Sequence, residues 1–123
     1  MTAPHRVHMP DSRDGKTYVR RLFEPGIDGK PEQVSFYFTI NRLPDGRVGE
    51  VFIKADRQGS LLSGVLDVLG IMISLALQHG VPVEAIIGKM RGTRFPPDQL
   101  PRYTSVLDLL AKILEADFGT PAT

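Results

Sequence analysis

Residues 34–55 read VSFYFTINRLPDGRVGEVFIKA, a stretch in which side-chain character alternates on both sides of a turn. Apolar and polar residues alternate over 34–43, and the alternation resumes over 48–55 after Pro44, Asp45 and Gly46. A period of two with aromatic and β-branched residues is typical of half-buried strands, and proline, aspartate and glycine favour a turn. The stretch therefore predicts an antiparallel hairpin. A shorter β-like run over 17–23 precedes it, so we expect a meander of three to four strands.

The second half of the sequence predicts helices. The apolar run 61–77 predicts a long helix over 61–79 that Ser60 can cap and Gly80 can end. Two shorter helices are expected over 82–91 and over 104–117, the last of them capped by Thr104 or Ser105. Strands followed by helices indicate an α+β domain in which the meander packs on the long helix. We expect a single domain over 11–118, between a flexible N-terminus at 1–10 and a tail at 119–123.

Composition narrows the possible functions. The 123 residues include 15 lysines and arginines against 14 aspartates and glutamates, and no cysteine. A net charge of +1 argues against nucleic acid as the partner, and the lack of cysteine excludes disulfides, thiol catalysis and thiolate metal sites. No metal or cofactor motif is recognisable. The N-terminus lacks the apolar segment of a signal peptide and Asp67 interrupts the long apolar run, so we expect a cytoplasmic protein that does not bind membranes.

Two groups of residues have the chemistry to bind phosphate. The start of the long helix would offer backbone N–H groups at Gly59 and Ser60 beside the cations Lys54 and Arg57, although simple capping by Ser60 is the plainer alternative. Arginines and aromatic residues that follow the second helix could clamp a phosphate and stack a base, or could form an ordinary solvated loop. The residues of this second group are Arg91, Arg94 and Phe95, with Lys89, Arg102 and Tyr103 nearby.

Polar residues also form a narrow stripe along the long helix. Ser63, Asp67, Ser74 and Gln78 fall on one face because they are spaced, with Gly70, by three or four residues. The stripe could line a ligand pocket or fix the register of two helices in an oligomer. One small sheet cannot cover every side of so apolar a helix, so we expect a homodimer or a higher even homo-oligomer.

Several runs of the sequence form a recognisable pattern, namely GRVGEVFIK (46–54), GS (59–60), ISLALQHGVPVE (73–84), TRFPP (93–97) and YTSVLD (103–108). Together they resemble the TSCPD domain, which occurs at the C-terminus of cobalamin-dependent (class II) ribonucleotide reductases. The resemblance covers roughly 9–118 and implies an α+β fold in a nucleotide-related context. The radical chemistry of the reductase belongs to a barrel with catalytic cysteines, so we do not expect this cysteine-free chain to be an enzyme. Phe95 stands where related small proteins often have a cysteine, so their metal or thiol roles are not carried over.

Two functions fit these observations. The first is a non-catalytic binder of a nucleotide or a related phosphorylated small molecule, similar in its strands-then-helices layout to phage sponges that sequester cyclic nucleotide immune signals. The alternative is a protein–protein accessory module, related to the reductase tail, with a ribonucleotide reductase as partner. A binder should bring its arginines together in a cleft, whereas an accessory module should expose an apolar patch.

Overall fold

A computed structural model of the chain describes residues 5–25, 28–56, 61–94 and 105–118. Three antiparallel strands form one sheet in the order β1-β2-β3, so β1 and β3 are its edges. The predicted α+β order of strands, one long apolar helix and two shorter helices is confirmed. The elements are β1 (Asp14–Pro25), β2 (Pro31–Arg42), β3 (Val48–Ala55), α1 (Leu61–Gln78), α2 (Val83–Met90) and α3 (Val106–Phe118).

The predicted hairpin consists of β2 and β3. Its turn closes with a hydrogen bond of 2.7 Å from the Leu43 N–H to the Arg47 carbonyl, and Gly46 adopts a φ of +91°, which favours glycine. The β3 bounds agree with the alternation over 48–55. By contrast, β1 and β2 are longer than their apolar runs, because backbone pairing continues through polar positions such as Glu24 opposite Glu32.

The core lies on one face of the sheet. Phe36 and Phe38 of β2 are fully buried, and their rings lie 6.5 Å apart. Leu110 and Leu114 of α3 are fully buried in the same apolar cluster, to which α1 and α2 also contribute. The alternating residues of the hairpin thus point inward as the sequence predicts.

Two of the three predicted helix boundary signals are present, and the third, the cap at Ser60, lies outside the described residues. Gly80 has a φ of +93° after α1, and the Val81 N–H reaches back to the Ala76 carbonyl at 3.0 Å, which is the pattern of a Schellman motif. Ser105 caps α3, because its hydroxyl accepts the Asp108 N–H at 2.9 Å. These two caps fix where α1 ends and where α3 begins.

Part of the segment expected to be flexible contacts the body of the domain. The Val7 N–H donates to the Gln78 carbonyl at 2.8 Å, and the Arg6 guanidinium donates to the Gln78 side chain at 2.7 Å. The sulfur of Met9 lies against Gly49. Residues 6–9 therefore run beside the end of α1 and the start of β3.

Candidate functional site

Helix α1 is buried on one side and open on the opposite side. Leu66, Ile73 and Leu77 point into the core. Five large apolar side chains point outward and are 54% to 84% exposed, and we call this surface the outer face of α1. A contiguous apolar patch of this kind marks an interaction surface on a soluble protein. The outer face consists of Leu61, Val65, Val68, Ile71 and Met72.

The polar stripe of α1 faces the sheet. The Ser74 hydroxyl accepts the Val51 N–H at 2.9 Å, and it lies 3.1 Å from the Val51 carbonyl oxygen. The Gln78 side-chain amide donates to the Gly49 carbonyl at 2.9 Å. These groups of β3 lie on its free edge, where no strand in the described part of the chain pairs with them. Polar side chains of α1 therefore replace the hydrogen bonds of a fourth strand.

Gly70 allows α1 to approach the strand this closely. A Cβ at this position would lie 2.9 Å from the Val51 carbonyl oxygen. Asp67 forms an ion pair with Lys54 on the same side of the helix, and Ser63 is half-buried. The residues expected to line a pocket or an oligomer interface thus lie mainly between a helix and a strand of one protomer.

The basic residues proposed to bind phosphate lie on different elements. Lys54 is paired with Asp67 at the end of β3. Arg91 follows α2 and forms an ion pair with Glu115 of α3 at 3.2 Å, while Arg94 is exposed. Among the described cations of this prediction, Lys54, Arg91 and Arg94, no two share a contact partner. Arg57, Gly59, Ser60, Phe95, Arg102 and Tyr103 lie outside the described residues, so a nucleotide site stays a prediction.

A cavity of about 500 Å³ lies between the hairpin turn, the end of α1 and the start of α2. Its described lining includes Asp45, Arg47 and Glu84, but none of the predicted phosphate-binding residues. Hydrogen bonds from the Arg47 backbone N–H, and then from its guanidinium, lower the pKa of Asp45. The described lining has two carboxylates, Asp45 and Glu84, against one guanidinium, Arg47, and this charge balance disfavours an anion.

A second cavity, of about 370 Å³, is an apolar groove between α1 and α2. Leu69 lies one turn after Val65, so the groove borders the outer face of α1. Apart from the stem of Lys89, the groove is formed by aliphatic residues. They are Leu69, Ile73, Val81, Ala85, Ile86 and Met90.

A buried polar network on the other face of the sheet was not foreseen from the sequence. Asn41 and Glu50 are 6% and 7% exposed, and the Asn41 amide donates to the Glu50 carboxylate at 2.7 Å. The Arg13 guanidinium donates to the same oxygen at 2.9 Å. Asn41 and Glu50 are directly opposite in the hairpin, so assigning a register to the predicted hairpin could have paired them.

Thr93 joins the ends of the connection between α2 and α3. Its hydroxyl donates to the Met90 carbonyl at 2.7 Å and lies 2.7 Å from the Ser105 hydroxyl. Nearby, the Gly92 N–H donates to the buried carboxylate of Asp108 at 2.8 Å. Thr93, the threonine of the TRFPP run, therefore links the end of α2 to the residue that precedes α3. In the described parts of the chain, no group of three histidine, aspartate or glutamate residues could hold a metal ion.

Comparison with known proteins agrees with the resemblance noted from the sequence. The chain is 34% identical over 121 residues to the vitamin B12-dependent ribonucleotide reductase of Rhodopirellula baltica, a match covering 94% of the chain and 11% of the reductase. For the reductase of Streptantibioticus cattleyicolor the identity is 35%, over 94% of the chain and 19% of the reductase. For the reductase of Bradyrhizobium diazoefficiens the identity is 30%, over 92% of the chain and 9% of the reductase.

The chain thus spans at most about a fifth of the length of these relatives. No solved structure matches it. The TSCPD domain profile matches residues 8–118, which include all six described elements. On this match and on the α+β fold, the chain belongs to the TSCPD domain family.

Proposed function

We propose that this TSCPD domain is a non-catalytic protein-interaction module of the ribonucleotide reductase system and that it docks through the outer face of α1. The observation that carries the proposal is the set of five outward apolar side chains, each at least half exposed. An accessory module needs such a patch. A nucleotide binder needs converging cations, but Lys54 and Arg91 are each paired with a carboxylate on a different helix.

The outer face has the physical properties of a docking surface. Burying the exposed part of each of its side chains contributes about 1–2 kcal/mol of hydrophobic free energy. None of the five residues is charged, so docking would not desolvate an ion on this face. The polar groups of α1 are already bonded to β3 and would not need a partner.

The comparisons suggest the class of partner. The relatives carry the matching region within a longer chain named vitamin B12-dependent ribonucleotide reductase. We therefore propose a reductase of this class as the protein on which the chain docks, in the cytoplasm. The chain has no cysteine, so the thiol chemistry of a reductase would take place on the partner.

Binding to the reductase tests this proposal. A purified B12-dependent reductase from the same organism is immobilised, and the dissociation constant of the chain is measured by biolayer interferometry. Val68→Glu should weaken binding roughly 30-fold or more, because docking would bury an unpaired carboxylate. Tyr37→Glu, a matched change at a 39% exposed site on the sheet, should bind within twofold of the parent.

Circular dichroism would first establish that both variants are folded. Unchanged binding by Val68→Glu would refute docking through α1. A loss confined to Tyr37→Glu would instead assign the docking surface to the open face of the sheet.

A further inference from the structure

The spacing on the outer face of α1 is that of a helix packing seam. Leu61, Val65, Val68 and Met72 are separated by four, three and four residues, and half-buried Leu75 continues the series. Apolar residues at alternating spacings of three and four form the stripe along which two helices pack in a coiled coil. Residues on one side of any α-helix have such spacings, and a second α1 helix can pack along the whole length of this stripe.

From this spacing we infer that the outer face of α1 binds a second copy of the chain, with the two α1 helices antiparallel about a two-fold axis beside Val68. The inference rests on the proposed role of this face as a docking surface and names what covers it in the free chain, so that a second copy and a reductase compete for the same face. In a two-fold contact, if one residue touches another, the reverse contact also forms. With the axis at Val68, Leu61 meets Leu75 of the other copy and Val65 meets Ile71.

The same axis matches large residues with small ones. Gly64 would lie opposite Met72 of the second copy. A Cβ at Gly64 would meet no atom within 4 Å, so the glycine leaves an open notch on the exposed side of the helix. Met72 is 59% exposed and flexible enough to fill such a notch. In a parallel pair, glycine would face glycine and leave the notch empty.

Charge favours a second copy over a membrane surface. By length and apolar composition α1 could also cross a membrane, with 33% of it buried in the protomer. However, Ser74 and Gln78 bind it to β3. It also contains no lysine or arginine, the residues with which surface helices bind lipid headgroups. Its one charge, Asp67, pairs with Lys54, so two copies bring no like charges together on the seam.

The available apolar area approaches that of a small dimer interface. The five outward side chains present on the order of 500 Å² of apolar surface, at the upper end for a monomer. The adjoining groove between α1 and α2 extends this surface toward the roughly 800 Å² per partner of a standard interface. A symmetric pair buries this surface on both copies at once.

Cysteine cross-linking tests the axis directly, because the parent chain has no cysteine. Val68→Cys should form a disulfide-linked dimer under mild oxidation, at least tenfold faster than Ala116→Cys on an exposed side of α3. Leu61→Cys mixed with Leu75→Cys should cross-link, while either variant alone should not. Light scattering should give twice the 13.6 kDa mass for the parent chain and the single mass for Val68→Glu.

The outcomes separate the inference from the proposed function. A monomeric parent chain, or equal cross-linking of Val68→Cys and Ala116→Cys, would overturn the dimer. If such a monomer still binds the reductase and Val68→Glu does not, the proposed function stands without the dimer. Efficient cross-linking of Leu61→Cys alone would overturn the antiparallel orientation, and a monomer that floats with phosphatidylglycerol vesicles would assign the face to lipid.

Discussion

Replacing Gly70 by alanine should separate α1 from the free edge of β3. The new Cβ would lie 2.9 Å from the Val51 carbonyl oxygen, closer than side chains approach backbone oxygens, and 3.5 Å from the Phe52 Cα. Both contacts are with backbone, which cannot rotate away as a side chain would. The helix must therefore move outward, which lengthens the 2.9 Å hydrogen bond between the Val51 N–H and Ser74.

Favourable and unfavourable contributions together determine how far Gly70→Ala changes the free energy of unfolding. Alanine in place of a helical glycine stabilises a helix by about 0.8–1 kcal/mol. Overpacking costs about 1–3 kcal/mol, and loss of the Ser74 bond leaves a poorly solvated N–H that costs about 1–3 kcal/mol. The unfavourable contributions are larger, so Gly70→Ala should lower the free energy of unfolding by about 2 kcal/mol.

Gly88→Ala is the matched control. It makes the same substitution in α2, where a Cβ would meet no atom within 4 Å, so it should be neutral or stabilise the protein by up to about 1 kcal/mol. Urea unfolding followed by circular dichroism, at one protein concentration, measures both variants. Equal shifts for the two alanines, or a Gly70→Ala protein as stable as the parent, would refute the close packing of α1 on the strand edge.

Three further predictions follow from the described contacts. Ser74→Ala should cost about 2 kcal/mol of unfolding free energy by the same assay, because it removes the only acceptor found for the buried Val51 N–H among the described residues, whereas exposed Ser12→Ala should change little. Burial, and then the hydrogen bond to Asp117, raise the pKa of Tyr18 above 10.0. Its neutral form therefore stabilises the fold below pH 10, and this stability is lost as the pH rises through the raised pKa. Tyr18→Phe should remove a phenolate step above pH 10 from the ultraviolet titration. A thermal-shift screen with mono-, di- and cyclic nucleotides should give no shift if the domain acts only by docking, whereas a shift that disappears in Arg94→Ala would restore the nucleotide-binding hypothesis.

The hairpin was predictable because its pattern depends on one sheet face being buried. Alternation over 48–55 gave β3 its bounds, since every second residue there must enter the core. The ends of β1 carry no such pattern. They are strand because β2 supplies backbone hydrogen bonds, and this partner is not visible in the local sequence.

The orientation of α1 could not be predicted from hydrophobicity. The helix is apolar nearly all round, so periodicity does not indicate which side is buried. The usual rule places polar residues outward, but here Ser74 and Gln78 point inward because the edge of β3 has backbone groups that need partners. Likewise, the sequence does not show that Lys54 and Arg91 are paired, because their partners Asp67 and Glu115 are distant in sequence. The two cations therefore suggested an anion site.

The two sides of α1 have consequences for how this domain can diversify. The residues that hold the helix on β3 and those on its outer face do not overlap. A substitution at Val65 or Val68 can therefore change which protein is bound while the folding free energy stays nearly constant. After gene duplication, a copy of the domain could acquire a new binding specificity by single substitutions on this helix surface. Each intermediate sequence would still fold.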